Sequence, residues 1–155
     1  MADRRNRLLL EQARALSAAA EHSPMRAYIV VSLLTGARTE EMRALTWTHI
    51  DLDGSPTADP PAPPSLEVWR SVREDGDTKT RKSRRTLELP NRRVHTLRDH
   101  QERQEVRRKA AGKRWREHNL VFASEVGTQL DAANVRRAFR KVAKAAGLPR
   151  WETGL

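Results

Sequence analysis

The sequence predicts an α+β fold, mostly helical, with a small antiparallel sheet of three strands. Apolar residues recur at three- and four-residue spacings over residues 6–20 and again over 135–146, the period of a helix with one buried face. Residues 86–89 instead alternate apolar and polar, the period of a half-buried strand. Five of the eight prolines fall between Pro56 and Pro64, a density that breaks regular structure and separates a helical first part from the strands.

In chain order, Leu9, Ala13, Leu16 and Ala20 make one stripe of a first helix over Asn6–Ala20. Ser23 before Pro24 is a good N-cap followed by proline at the first helical position, and the apolar run Met25–Leu34 predicts a buried helix that Gly36 ends. Thr39 starts a shorter helix, with Glu40 and Glu41 in the first turn where carboxylates favour the positive end of the dipole. Met42 and Leu45 face inward, and the helix stops near Trp47. Past Ile50-Asp51-Leu52, the proline-rich segment at about 54–64 is expected to be a disordered loop.

Leu66, Val68 and Val72 predict one strand and Thr86–Leu89 another. The charged turn Glu74–Arg85 between them makes a hairpin with a long basic tip. Val94–Ala110 reads as a heavily charged helix, and Leu120-Val121-Phe122 as the third strand. Asp131 is an N-cap for a helix whose stripe is Val135, Ala138, Phe139, Val142, Ala143 and Ala146, closed by Gly147 with Pro149 just beyond.

A length of 155 residues fits one domain. The net charge of +10 is unevenly spread: residues 1–64 carry 7 Lys/Arg against 8 Asp/Glu, and residues 65–155 carry 23 against 12. The second part is therefore suited to a polyanion, with salt-sensitive binding; on charge alone, a basic surface without a partner stands beside that reading. The absence of cysteine excludes disulfides, thiolate zinc sites and a cysteine nucleophile. The longest apolar run, Ala27–Val31, is too short to span a membrane, and the N-terminus lacks the apolar core of a signal peptide. A cytoplasmic location is expected.

Thr35-Gly36-Ala37-Arg38-Thr39-Glu40-Glu41, running into an apolar helix, resembles the first conserved box of the tyrosine recombinases, the phage integrase family, whose pattern is TGxRxxE. Thr78-Lys79-Thr80-Arg81-Lys82-Ser83-Arg84-Arg85-Thr86-Leu87-Glu88-Leu89-Pro90 is similar to that family's β-hairpin, with a lysine at the tip. Leu120–Gly147 resembles the strand, loop and helix that precede its second catalytic box. The likeness covers nearly the whole chain, in order, and implies a catalytic domain of that family spanning residues 1–155, incomplete at its C-terminal end.

The resemblance implies a site-specific recombinase acting on double-stranded DNA, in which a tyrosine attacks a phosphodiester to form a 3′-phosphotyrosyl link. Arg38 would stabilise charge on the nonbridging oxygens, Glu41 would hold that guanidinium, and Lys79 would protonate the leaving 5′-oxygen. Arg81, Lys82, Arg84 and Arg85 would contact phosphates. Spacing alone would equally suit a surface ion pair for Arg38 with Glu41 and a solvated tip for the hairpin cluster. Beyond DNA, an intact recombinase is a second implied partner; no membrane, cofactor or metal is implied.

The chain also departs from the family pattern. Pro149-Arg150-Trp151 is similar to the lead-in to the second box, an HxxR motif, but Glu152–Leu155 do not match it. His95-Thr96-Leu97-Arg98 satisfies HxxR in letters, yet lies just after the hairpin strand, inside a charged helix, and is read as a chance match. The single tyrosine, Tyr28, sits in an apolar helix before Arg38 and reads as a core residue with a hydrogen-bonded hydroxyl. A recombinase fragment that does not cleave DNA alone is therefore expected, with a DNA-binding remnant or regulator, or a product without function, as the alternatives.

Overall fold

The computed structural model describes residues 10–73 and 80–148. The chain divides into two compact units, Met1–Leu34 with Asp131–Leu155, and Thr35–Leu130, where the sequence suggested one domain.

The first unit holds α1 (Leu10–Ala20), α2 (Arg26–Thr35, whose last residue opens the second unit) and, from the far end of the sequence, the helix Ala132–Ala145. In α1 the predicted stripe buries Leu16 and Ala20, and α1 packs on the Ala132–Ala145 helix. The next helix begins at Arg26 and not at the expected Pro24: Ser23 stands in the turn before it, its Oγ accepting the Met25 amide and its carbonyl the Arg26 amide, both at 3.1 Å. The five residues Ala27–Val31 are all buried, which requires a helix apolar all round. Tyr28 lies among them at 3% exposure.

The second unit holds α3 (Thr39–Ala44), β1 (Ile50–Asp51), β2 (Ser65–Arg73), β3 (Thr80–Glu88) and α4 (Asn91–Ala111), so the first unit's last helix, Ala132–Ala145, is α5. Helix α3 ends at Ala44, short of the predicted Trp47, because Leu45 turns extended and Thr46 bridges to Leu120. A single 3₁₀ turn, Trp47–His49, leads into β1.

The sheet has three antiparallel strands in the order β1-β2-β3. Leu66 on β2 pairs with Ile50 and with Leu87, so three apolar side chains lie side by side. The third strand is Ile50–Asp51 and not the expected Leu120–Phe122. Two residues are too few to show a period, whereas Val121 and Phe122 are buried as a strand's would be while the carbonyls of Leu120 and Val121 accept from side chains of α4.

The proline-rich segment has backbone contacts of its own. Ser55 and Ala62 exchange backbone hydrogen bonds of 2.7 and 3.0 Å, and Asp51 Oδ1 accepts the amides of Asp53 and Gly54 at 3.2 and 2.9 Å. Gly54 has φ +66, and a Cβ there would lie 2.9 Å from the Pro63 carbonyl carbon, so this turn requires glycine.

Both ends of α5 follow their sequence signals. Asp131 Oδ1 accepts the Asn134 amide at 2.9 Å. At the other end Leu148 N–H donates to Ala143 O at 2.9 Å and Gly147 N–H to Lys144 O at 3.0 Å, with Gly147 at φ +77, the pairing of a Schellman motif. Between them Val135, Phe139, Val142 and Ala143 are buried. Replacing Asp131 with Ala leaves the Asn134 amide without its acceptor and is expected to cost about 1 kcal/mol; urea unfolding of D131A beside wild type measures it, and an unchanged midpoint would mean that the cap contributes nothing.

Candidate nucleic-acid interface

Arg38 is placed by a sharp turn between α2 and α3. Thr35 Oγ1 accepts the Ala37 amide at 3.0 Å, and Gly36 takes φ +64, a conformation unfavourable to residues with a Cβ. Nothing lies within 4 Å of where that Cβ would stand, so the glycine serves the backbone angle and the space beside it is open. Arg38 then runs extended into α3 (φ −74, ψ 158). The Glu41 carboxylate accepts its amide at 3.0 Å, half of a capping box; a guanidinium has no acceptor with which to complete the other half. The described contact between these two residues is thus through the main chain of Arg38, whose side chain is exposed. Further along α3, Arg43 Nε donates to Leu130 O at 2.6 Å, a tie the sequence did not signal.

On the hairpin, strand register separates the basic residues. Arg81 pairs with Val72, Lys82 with Ser71, Arg84 with Trp69 and Arg85 with Val68. Because side chains alternate along a strand, Arg84 and Arg85 belong to opposite faces of β3. Arg84 forms an ion pair with Glu67 of β2, and His49 Nδ1 stands 3.5 Å from the same carboxylate oxygen. The Arg84 hydrogen bond holds the Glu67 carboxyl below its ordinary value. Arg85 is exposed. Lys79, the expected general acid, lies outside the described residues. Sequence reading missed Glu67 and His49. The alternation of Glu67 with buried Leu66 and Val68 was a signal that it faces away from them, but its meeting with Arg84 needed the register.

Behind the turn that carries Arg38, the chain leaving α3 is fastened to α4. Val121 N–H donates to Leu45 O and Trp47 N–H to Asn119 O, both at 2.9 Å. Gln104 of α4 accepts from Trp47 Nε1 at 2.8 Å and donates to Leu120 O and Val121 O at 2.9 and 3.2 Å. His100, one turn earlier, has Nε2 at 2.6 Å from Val121 O, so that nitrogen carries the proton and donates. Its ring lies between Trp47 and Phe122, with centroids 6.2 and 5.2 Å away. No buried side-chain nitrogen or oxygen among the described residues lacks a partner.

The sequence profile described as "Phage integrase family" matches residues 6–153. The chain belongs to the phage integrase family. It is 63% identical over 139 residues to an "Integrase" of Streptomyces ambofaciens, a match covering 90% of this chain and 36% of that protein. To a "Tyrosine recombinase XerC-like" of Caldanaerobacter subterraneus subsp. tengcongensis it is 26% identical over 157 residues, covering 90% and 38%. The crystal structure of XerA recombinase shares the fold, with a TM-score of 0.61, 21% identity, and coverage of 90% of this chain and 43% of that one. The chain thus spans well under half the length of each of these relatives.

Among the described residues of this integrase-family chain, no helix is long and apolar enough to cross a membrane, and no three His, Asp or Glu side chains are grouped to hold a metal. Burial lowers the His100 pKa from its ordinary 6.5, and the charges of Arg107 and Arg103 add to that, against the hydrogen bond to Val121. The folded chain therefore holds the neutral ring. Its contribution is full above about pH 6.5 and is lost as pH falls from there towards the folded value. In urea unfolding, the stability gap between wild type and H100Q is expected to narrow as pH drops from about 7.5 to about 5.5. A gap that stays constant would show that His100 does not titrate against folding.

Proposed function

We propose that this chain is the part of a site-specific DNA recombinase that grips duplex DNA and offers Arg38 to the phosphate being exchanged, and that these 155 residues bind DNA without cutting it. The observation that carries the reading is the exposed Arg38 on a backbone fixed from both sides, by the Thr35 hydroxyl and by the Glu41 carboxylate. Exposure leaves its planar fork of donors available to two nonbridging oxygens, and fixing the main chain limits what must be ordered when a phosphate arrives. Family membership and the names of the relatives, integrase and tyrosine recombinase, support the same substrate class.

In the reaction class this implies, a tyrosine oxygen attacks phosphorus and the bond to the 5′-oxygen breaks. Arg38 donates to the nonbridging oxygens as negative charge gathers there. Lys79 gives the departing 5′-oxygen its proton. Arg81, Lys82, Arg84 and Arg85 of the hairpin would hold backbone phosphates nearby, Arg84 in the direction set by Glu67.

Binding without cleavage is favoured by Tyr28, the single tyrosine of these residues. At 3% exposure on α2, its hydroxyl is not available to a phosphate in solvent. A nicked duplex that traps covalent intermediates is expected to give no protein-linked product with this chain, while gel-shift or anisotropy titrations give binding that weakens steeply with salt. Covalent product that disappears in Y28F would overturn the first expectation. Titrations flat at low salt would overturn the second.

A further inference from the structure

The segment joining α4 to residue 119 has no part in the site described above, yet its backbone is held by several hydrogen bonds and it presents three exposed cations. Gly112 leaves α4 at φ +55, and a 3₁₀ turn, Gly112–Arg114, is closed by Trp115 N–H donating to Gly112 O at 3.1 Å. Arg116 N–H donates to Val126 O at 2.7 Å. The Trp115 ring lies against Gly127 so closely that a Cβ there would stand 2.7 Å from Cε2. Glu117 takes Trp115 Nε1 at 3.1 Å with one oxygen and the Asn119 amide at 2.8 Å with the other.

On this frame Lys113, Arg114 and Arg116 are all exposed. Of the acidic groups nearby, Glu105 pairs with Arg108 at 2.8 and 3.0 Å, while Glu117 takes the two neutral donors named above. Among the described residues no ion pair involves any of the three cations. Three cations against the single carboxylate of Glu117 leave the segment with a net positive charge, a surplus suited to displacing condensed counterions from a polyanion. Anchored backbone also leaves less to be ordered on binding than a free basic tail would.

The position of this patch points to its ligand. The hairpin and the patch belong to the same compact unit and are joined by the 21 residues of α4, which at about 1.5 Å per residue extend roughly 30 Å. The backbone of a B-form duplex returns to the same side about every 34–36 Å. We propose that Lys113, Arg114 and Arg116 form a second phosphate-contact site for duplex DNA, about one helical turn from the root of the hairpin, a proposal that rests on the reading of this chain as DNA-binding. Two linked contacts on one duplex raise affinity through effective concentration, provided the duplex is long enough to reach both.

The test compares wild type with K113A/R114A/R116A on duplexes of about 8 and about 20 base pairs across a salt series, after circular dichroism confirms that the variant is folded. With close to 0.9 lost from the logarithmic salt slope for each phosphate contact, the variant is expected to show a slope shallower by about 2 to 3 on the long duplex. It is also expected to lose roughly tenfold in affinity there and to match wild type on the short one. A variant with the wild-type slope on the long duplex overturns the site, and equal losses on both lengths overturn the two-point geometry. Wild type that binds neither duplex removes the DNA-binding reading itself, whereas wild-type binding with an unchanged variant removes only the second site.

Discussion

The carbonyl oxygens of Leu120 and Val121 impose the constraint on which the Thr35–Leu130 unit depends. Val121 and Phe122 are buried, so the chain through them is removed from water, and a backbone carbonyl so placed must find another donor or lose stability. This segment is not a strand of the β1-β2-β3 sheet, so no ladder supplies those donors. The donors come from α4, as Gln104 Nε2 and His100 Nε2. Gln104 also accepts from the Trp47 indole, so one amide side chain ties together α4, the segment leaving α3 and the extended segment at 119–121. The few buried residues on the rest of α4, Val94, Thr96, Leu97 and Ala111, would be a slight hold for 21 residues without these polar ties.

The same unit divides its charges by use. Some cations are committed within the fold: Arg84 to Glu67, Arg98 to Asp53, Arg108 to Glu105, and Arg43 to a backbone carbonyl. Exposed pairs of this kind contribute little to stability, and their effect is geometric, since a guanidinium engaged on one side keeps its remaining donors aimed. Arg38, Arg85, Lys113, Arg114 and Arg116 are exposed on backbone that is fixed by a turn, a strand register or a packed tryptophan. A strongly basic chain need not be uniformly sticky to polyanions, and these five exposed cations stand on backbone held by local contacts.

How much of this was legible in the sequence depends on the range of the interaction. Asp131 and Gly147 act within a few residues, and each does what its position implies, as does the stripe Val135–Phe139–Val142. The hairpin was visible because β2 and β3 are adjacent and alternate. β1 was not, because two residues have no period and Ile50 becomes a strand only through Leu66. Leu120–Phe122 was taken for a strand on its apolar character, which is also the character of a buried segment whose carbonyls face helix side chains. The proline-rich run looked disordered by composition, and its closure depends on two hydrogen bonds between Ser55 and Ala62 and on the free φ of Gly54. A short motif singled out Arg38 and Glu41, while the ties of Glu67, His49, His100 and Gln104 depend on partners 17 to 57 residues away.

Arg38 shows why that motif was readable. The residue before a helix usually carries Ser, Thr, Asp or Asn, whose side-chain oxygen accepts an otherwise orphaned amide. Arginine has no acceptor to offer such an amide, and the adjacent Thr39 would have suited the position better by local rules. The chain compensates in part through Glu41, which takes the Arg38 amide and places a carboxylate near the positive end of α3, and through Gly36, which gives the turn its left-handed residue. A local preference overridden at one position, with its neighbours arranged to limit the cost, is what a functional requirement leaves in a sequence. The guanidinium at that position has no structural duty in the described contacts, which is the condition under which the role proposed for it, meeting a phosphate, would account for its being there.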